Sequence, residues 1–348
     1  MPALPELQEL ERLIRLGKDH LEVNVMCEVG VRHKRFPVYQ LALGNPDPHL
    51  PAIGFFGGIH GLERIGTQVL LSYLRGLLSQ VVWDKSLQQL LQEVRLVFMP
   101  LINPGGMWKA TRANPSGVDL MRNAPVEAQG KVPFLLGGHR ISRHLPWYRG
   151  DENAEMEIEN QALCKVVQEQ LLTRDFSMAI DCHSGFGLVD RIWFPHAHSP
   201  HPIPHLADIL RLEELFRETH PHHRYVFEPQ SRQYKTHGDV WDYLYLRHEE
   251  LAGAGTALNG AASAPSKTFL PLTLEMGSWL WVKKNPRQLF SRHGMFNPTA
   301  EHRLHRVLRR HASWFDFLLR ASCAHHNWMS TGPQRCRMQE QAVARWYR

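Results

Sequence analysis

His60 and Glu63 stand three residues apart in the stretch Pro51–Thr67, P-A-I-G-F-F-G-G-I-H-G-L-E-R-I-G-T. An imidazole and a carboxylate are donors of the kind that hold a catalytic divalent ion, which takes three protein ligands and leaves a position open. The spacing alone is weak evidence, and its surroundings give it weight. Ala52–Phe56 is a short apolar run of the kind that forms a strand buried on both faces. Gly57 and Gly58 break that run and permit a sharp turn, and Arg64–Leu78 continues with helical periodicity. Strand, turn, His-x-x-Glu and helix place both donors at the carboxyl end of a central strand, where open α/β sheets bind ligands. The expectation is two ligands of a catalytic zinc. His183, just beyond the apolar strand Phe176–Asp181 in D-C-H-S-G-F-G, occupies the equivalent place and is the expected third. Asp181 points to the same side of that strand and is suited to orient an imidazole.

The remaining pattern supplies elements to position these groups. Residues 5–17 read as a helix, Leu21–Val29 and Phe36–Leu43 as strands, and Gly44–Pro51 as a loop. A short helix near Lys85–Gln92 precedes a strand over Arg95–Leu101. Periodicity disappears from Asn103 to Gly150, and a loop of this length inside a compact domain is usually functional. A helix over Glu152–Leu172, a strand at Ile192–Phe194 and helices over Ile203–Thr219 and Asp239–His248 follow. Ala252–Ser266 reads as a small-residue loop, Thr268–Leu274 as a last strand, and Pro298–Ala321 as a terminal helix with Asn297 as its N-cap. Strands alternating with helices of about 15 residues imply crossovers and a parallel core. The fold expected is a single α/β domain with a mixed, mostly parallel sheet flanked by helices. It covers residues 1–322, with 323–348 as a basic, poorly ordered tail.

Composition narrows the class. The chain has 348 residues, 43% of them hydrophobic, enough for a large core. No stretch approaches the roughly 20 apolar residues that span a bilayer, and the N-terminus lacks a secretory pattern. The five cysteines are scattered and form no C-x-x-C pair, which points to reduced thiols and a cytoplasmic setting. A net charge of +6 without interleaved aromatic and basic residues gives no nucleic-acid module. Among the 22 histidines, the dense Pro/His region of His196, His198, His201, His205, His220, His222 and His223 raises a second metal site, but with no carboxylate or cysteine at ligand spacing a surface loop is the expectation.

Four blocks, in order, resemble the M14 zinc carboxypeptidases: G-G-I-H-G-L-E; I-N-P-G-G with T-R-A-N-P-S-G-V-D-L-M-R-N; I-D-C-H-S-G; and L-T-L-E-M-G-S-W. They run from Ala52 to Trp279. The resemblance implies one zinc per chain held by His60, Glu63 and His183, in agreement with the donor set above. It implies that Glu275 is the general base, a carboxylate that takes a proton from the attacking water and gives it to the leaving amine. Arg122 matches the arginine that holds the substrate's terminal carboxylate. Arg112 is the choice for polarising the scissile carbonyl, with Lys109 and Arg143 as competitors. Tyr234 resembles a tyrosine that closes over substrate, and counting along G-D-V-W-D-Y puts Trp241 near the side-chain pocket. The chain departs from the family at Met121, where an asparagine is usual, and Asn123 is the substitute donor considered.

The activity these residues imply is hydrolysis of an amide bond next to a free carboxylate, on a peptide or amino-acid conjugate. The alternatives are a zinc-dependent N-acyl amino acid deacylase, which Met121 leaves open, and a catalytically silent binding protein on the same fold.

Overall fold

In the computed structural model, which describes residues 4–185, 187–256 and 267–348, the chain begins with α1 (Pro5–Leu16) and a hairpin of β1 (Glu22–Val31) and β2 (Lys34–Gly44). The segment around the His-x-x-Glu follows as β3 (Ala52–Gly57) and α2 (Arg64–Gln80). Next come α3 (Lys85–Leu90), β4 (Arg95–Met99) and α4 (Pro104–Lys109). Beyond a long loop lie α5 (Ile158–Gln170), β5 (Phe176–Gly185), β6 (Arg191–Phe194), α6 (Leu206–Thr219) and β7 (Val226–Pro229). The chain continues with α7 (Val240–Thr256), β8 (Thr268–Gly277), α8 (Trp279–Lys284) and α9 (Arg292–Phe296). It ends with α10 (Glu301–Cys323), α11 (His325–Trp328) and α12 (Gly332–Trp346).

The described strands form one sheet in the order β1-β2-β4-β3-β5-β8-β6-β7. The central run β4-β3-β5-β8 is parallel, while β1, β2 and β6 join antiparallel to their inner neighbours. This is the mixed α/β sheet expected from the alternation of strands and helices. Its centre is apolar on both faces because helices cover both, and β3 shows how. Phe55 packs on Tyr73 of α2 and Phe315 of α10, with ring centroids 5.4 and 5.2 Å away. Its neighbour Phe56 points the other way, onto Trp241 of α7 at 5.0 Å, as the two-residue period of a strand requires. Both phenylalanines are fully buried, so truncating either to alanine costs about 3–5 kcal/mol.

Several expectations are corrected. The helix expected from Glu152 begins only at Ile158, and α7 runs past His248 to Thr256. Of the loop expected over Ala252–Ser266, residues to 256 thus belong to α7, and 257–266 lie outside the described residues. Asn297 does not cap α10. Its Oδ1 accepts the Ile65 N–H at 2.8 Å, and its amide donates to the Leu62 carbonyl, so it caps α2, the helix behind the candidate ligands. The expected poorly ordered tail instead forms α11 and α12. Met338, Ala342 and Trp346 recur every fourth residue of α12 and are buried, Trp346 donates to the Phe227 carbonyl, and Arg335 pairs with Asp208 of α6. One apolar stripe and two arginine–carboxylate pairs, the second being Arg345–Glu213, dock it on α6. No helix of the described residues is long and apolar enough to cross a membrane.

Candidate active site

The carboxyl ends of β3, β5 and β8 meet where the loop 110–157 folds over them. β3 ends in a turn in which Gly58 has φ +67°, and a Cβ there would stand 2.5 Å from Thr67 Oγ1. The turn delivers His60 and Glu63 to the top of the sheet. β5 delivers His183, and in the parallel register of β5 and β8 His183 lies opposite Glu275. Room for the Glu275 carboxylate comes from Gly185, where a Cβ would lie 2.1 Å from Oε1.

One donor atom each from His60, Glu63 and His183 lie within 4.8 Å of one another, and all three residues are buried. His183 Nε2 sits 2.7 Å from Asp181 Oδ2, which also accepts the Trp241 indole N–H at 2.8 Å. A carboxylate there keeps the proton on Nε2 and turns Nδ1 toward Glu63 Oε2, 3.2 Å away. Glu63 Oε2 also accepts the Ser184 N–H. Although burial opposes it, the imidazoles and Arg112 hold the Glu63 carboxyl down at about 2. Burial likewise works against a charged His183, yet Asp181 and Glu63 outweigh it and raise that imidazole well above 6.5. Nδ1 of His60 is buried without a hydrogen-bond partner. Two imidazoles, an ionised carboxylate, an unpartnered buried ring nitrogen and a carboxylate behind His183 are a donor set that fits zinc.

Arg112 lies against this set. Its Nε donates to Asp119 Oδ2 at 2.8 Å, Nη1 to Glu63 Oε1 at 3.3 Å, and Nη2 approaches His60 Nε2. The competitors are elsewhere: Lys109 is exposed and donates to the Pro115 carbonyl, and Arg143 does not line the cavity. Asp119 shapes the loop as well, since its Oδ1 accepts the Met121 N–H and starts the turn Leu120–Arg122. Asp119 stands within a quoted block, and an Asp beginning a turn is a cap signal visible in the sequence.

A cavity of about 690 Å³ opens in front of these groups, lined by His60, Glu63, Arg112, Arg122, His183 and Glu275 among others. Arg122 is buried, with its Nη1 on the Met121 carbonyl and its Nε without a partner. Tyr234 lines the wall with its ring 6.4 Å from that of Trp193, and Met121 lines it beside Arg122. Burial first, and Glu63 second, push the Glu275 carboxyl up to about 8.

Two expected substrate contacts are not in this cavity. Asn123 has its Oδ1 on the Glu157 N–H and its amide on the Arg149 carbonyl, so both ends are committed to holding the loop. Trp241 is buried under Asp181 and Phe56, where it supports His183 from below. Residues that sequence reasoning passed over line the far wall: Arg191, paired with Glu228 at 2.7 Å, together with Trp193, Gln230, Gln233 and Thr273. Only the register of β6 against β8, Arg191 opposite Glu275, brings the arginine there.

The zinc carboxypeptidase family model, peptidase M14, matches residues 23–254, and the chain belongs to that family. Carboxypeptidase D of Anas platyrhynchos is 21% identical over 229 residues, 62% of this chain and 14% of that protein. Carboxypeptidase Z of Homo sapiens is 26% identical over 229 residues, 61% of this chain and 32% of its own length. The chain thus spans a third or less of the curated relatives it matches. Among solved structures, thrombin activatable fibrinolysis inhibitor superposes with a TM-score of 0.62 at 19% identity, over 93% of this chain and 73% of that one. Carboxypeptidase A of Helicoverpa armigera gives 0.59 at 14% identity, over 90% and 71%. At these identities the structures show a shared fold. Glu275 lies beyond the family match, and its place beside the ligands rests on the β5–β8 register.

Proposed function

We propose that the protein is a zinc-dependent metallocarboxypeptidase that hydrolyses an amide bond next to a free carboxylate. The observation that carries this reading is Arg122: a buried cation with an unpartnered Nε, lining the same cavity as Glu275 and the His60–Glu63–His183 set. Zinc, held by those three residues, would supply Lewis-acid polarisation and a more acidic water. Glu275 takes a proton from the attacking water and passes it to the leaving amine. Arg122 anchors the terminal carboxylate. Arg112, fixed by Asp119, faces the carbonyl as negative charge develops on it. Asp181 keeps His183 in one tautomer, and Tyr234 closes the wall opposite. Five separate thiols support a reducing, cytoplasmic compartment as part of this proposal.

A second reading, N-acyl amino acid deacylase, is favoured by Met121, which puts a thioether beside Arg122 where a terminal carboxylate would gain from a donor. The test is a substrate panel on zinc-replete protein: peptides with free and amidated C-termini, murein peptides and N-acyl amino acids. Turnover of free but not amidated peptides is expected. Cleavage of N-acyl amino acids alone selects the second reading, and turnover of nothing in the panel defeats both.

A further inference from the structure

We propose that the protein holds a second metal centre, a structural zinc site formed by His205, His248 and Glu249. His205 immediately precedes α6, while His248 and Glu249 are neighbours in the second half of α7. The sequence separates them by more than forty residues, so no motif announces them, and the Pro/His region containing His205 reads as surface loop. Instead His205 and His248 are each only 1% exposed. One donor atom from each of the three residues lie within 4.8 Å of one another. The imidazole centroids are 5.9 Å apart, and His205 Nδ1 is 3.8 Å from Glu249 Oε1.

The burial is unusual because the rings are not satisfied. Nε2 of His205 and both nitrogens of His248 are buried with no hydrogen-bond partner, and only His205 Nδ1 has one, the Tyr245 hydroxyl at 2.7 Å. Folded proteins keep few such atoms, and a bound water or ion is a usual reason for them. Burial pushes His205 down to about 3 and His248 to about 4, so both are neutral at physiological pH with lone pairs free for a cation. The nearby protein cations are committed elsewhere: Arg335 to Asp208, and the Lys267 ammonium to the Thr173 carbonyl at 3.0 Å. The Lys267 backbone carbonyl lies within interaction range of both rings and is placed to serve as a further oxygen ligand.

Two neutral imidazoles and a carboxylate suit zinc, and the side chain of Glu249, 33% exposed, gives the ion a way in. The site is separate from the catalytic set. His248 packs on Phe269, with ring centroids 5.9 Å apart, and Phe269 lies six strand residues before Glu275, about 20 Å away at the usual rise. An ion here would fasten the start of α6 to α7 at the amino end of β8, a structural role that does not depend on the proposed catalysis.

Metal content decides it. Zinc-replete protein is expected to retain two equivalents by elemental mass spectrometry. The double variant His60→Ala/His183→Ala, emptied at the catalytic set, should retain one, and that one should raise its melting temperature. Titrating Co²⁺ into this metal-stripped double variant should give visible d–d absorption, so the result stands whether or not the protein is a peptidase. His248→Leu should lose one equivalent while keeping peptide turnover. Should that variant fail to fold, Glu249→Gln at the exposed edge is expected to release the second ion at least 10-fold more readily to a chelator. One equivalent in the wild-type protein, none in the double variant, or unchanged retention in Glu249→Gln would overturn the proposal.

Discussion

At the carboxyl end of β8, two imidazoles and a glutamate sit among charges. Arg112 touches His60 and Glu63, Asp181 holds His183, and Arg122 and Glu275 share the cavity. At the amino end of the same strand, His205, His248 and Glu249 present the same donor types with most ring nitrogens unengaged. The cavity of about 690 Å³ is lined by the first set and by no residue of the second. The donors are alike, and what differs is what can approach them and how much charge is fixed around them. Ions and dipoles fixed beside an accessible cavity stabilise charge that develops during a reaction. Neutral donors between two helices, away from that cavity, suit an ion that stays in place.

The strongest test of this contrast is Glu275→Gln. The amide fits the space left by Gly185 but cannot accept a proton, so kcat/KM should fall by about 10²–10⁴-fold. Zinc content should stay as in the wild type, because Glu275 is not among the three ligands. Measured turnover within a few-fold of wild type would remove Glu275 as the base and erase the functional distinction between the two ends.

The candidate ligands were legible because they follow apolar strands, and strand ends converge in an open parallel sheet; Arg191 and Trp193 on the far wall were not. His60, Glu63 and His183 needed only that rule, whereas Glu275 came from the resemblance to the zinc carboxypeptidases. Asn123 and Trp241 were misplaced because a position in a block does not say where the side chain points: Asn123 turns into the loop backbone and Trp241 beneath Asp181. The second cluster was illegible for a different reason. It is assembled where His205, just before α6, meets His248 and Glu249 of α7, and no local period records such a contact. α12 lies between these cases, since Met338, Ala342 and Trp346 mark one helical face that the basic composition of the segment obscured.

What a buried, uncoordinated imidazole does to stability is measurable at His311, which belongs to neither cluster. Burial, with Arg310 and His223 adding to it against Asp190, pushes His311 down to about 4. In the unfolded chain a histidine binds its proton near 6.5, so between these values the unfolded state holds more protons. Stability is therefore full above pH 6.5 and is lost as pH falls toward 4, by up to about 3 kcal/mol from this residue. His311→Gln retains an acceptor for the Tyr225 hydroxyl and should flatten that part of the profile. Urea denaturation of both proteins between pH 7 and 4 measures it. A wild-type-minus-variant difference that does not change with pH would show that His311 is not held neutral, and would weaken the same inference for His205 and His248.

The smallest expected effect concerns the wall of the cavity in front of His60, Glu63 and His183. Met121 lines the cavity beside Arg122 and offers no hydrogen-bond donor to an incoming carboxylate. Met121→Asn adds one, and a single hydrogen bond to a charged group is worth about 1.5–3 kcal/mol net. Part of that is offset by the loss of a buried thioether, so KM for free-C-terminal peptides should fall roughly 3–10-fold with kcat little changed. Amidated peptides should not respond, since they bring no carboxylate to the new amide. If instead peptide turnover drops and cleavage of N-acyl amino acids drops with it, Met121 is packing against an apolar acyl group. The cavity would then be built to hold an acyl chain where the metallocarboxypeptidase reading puts a terminal carboxylate.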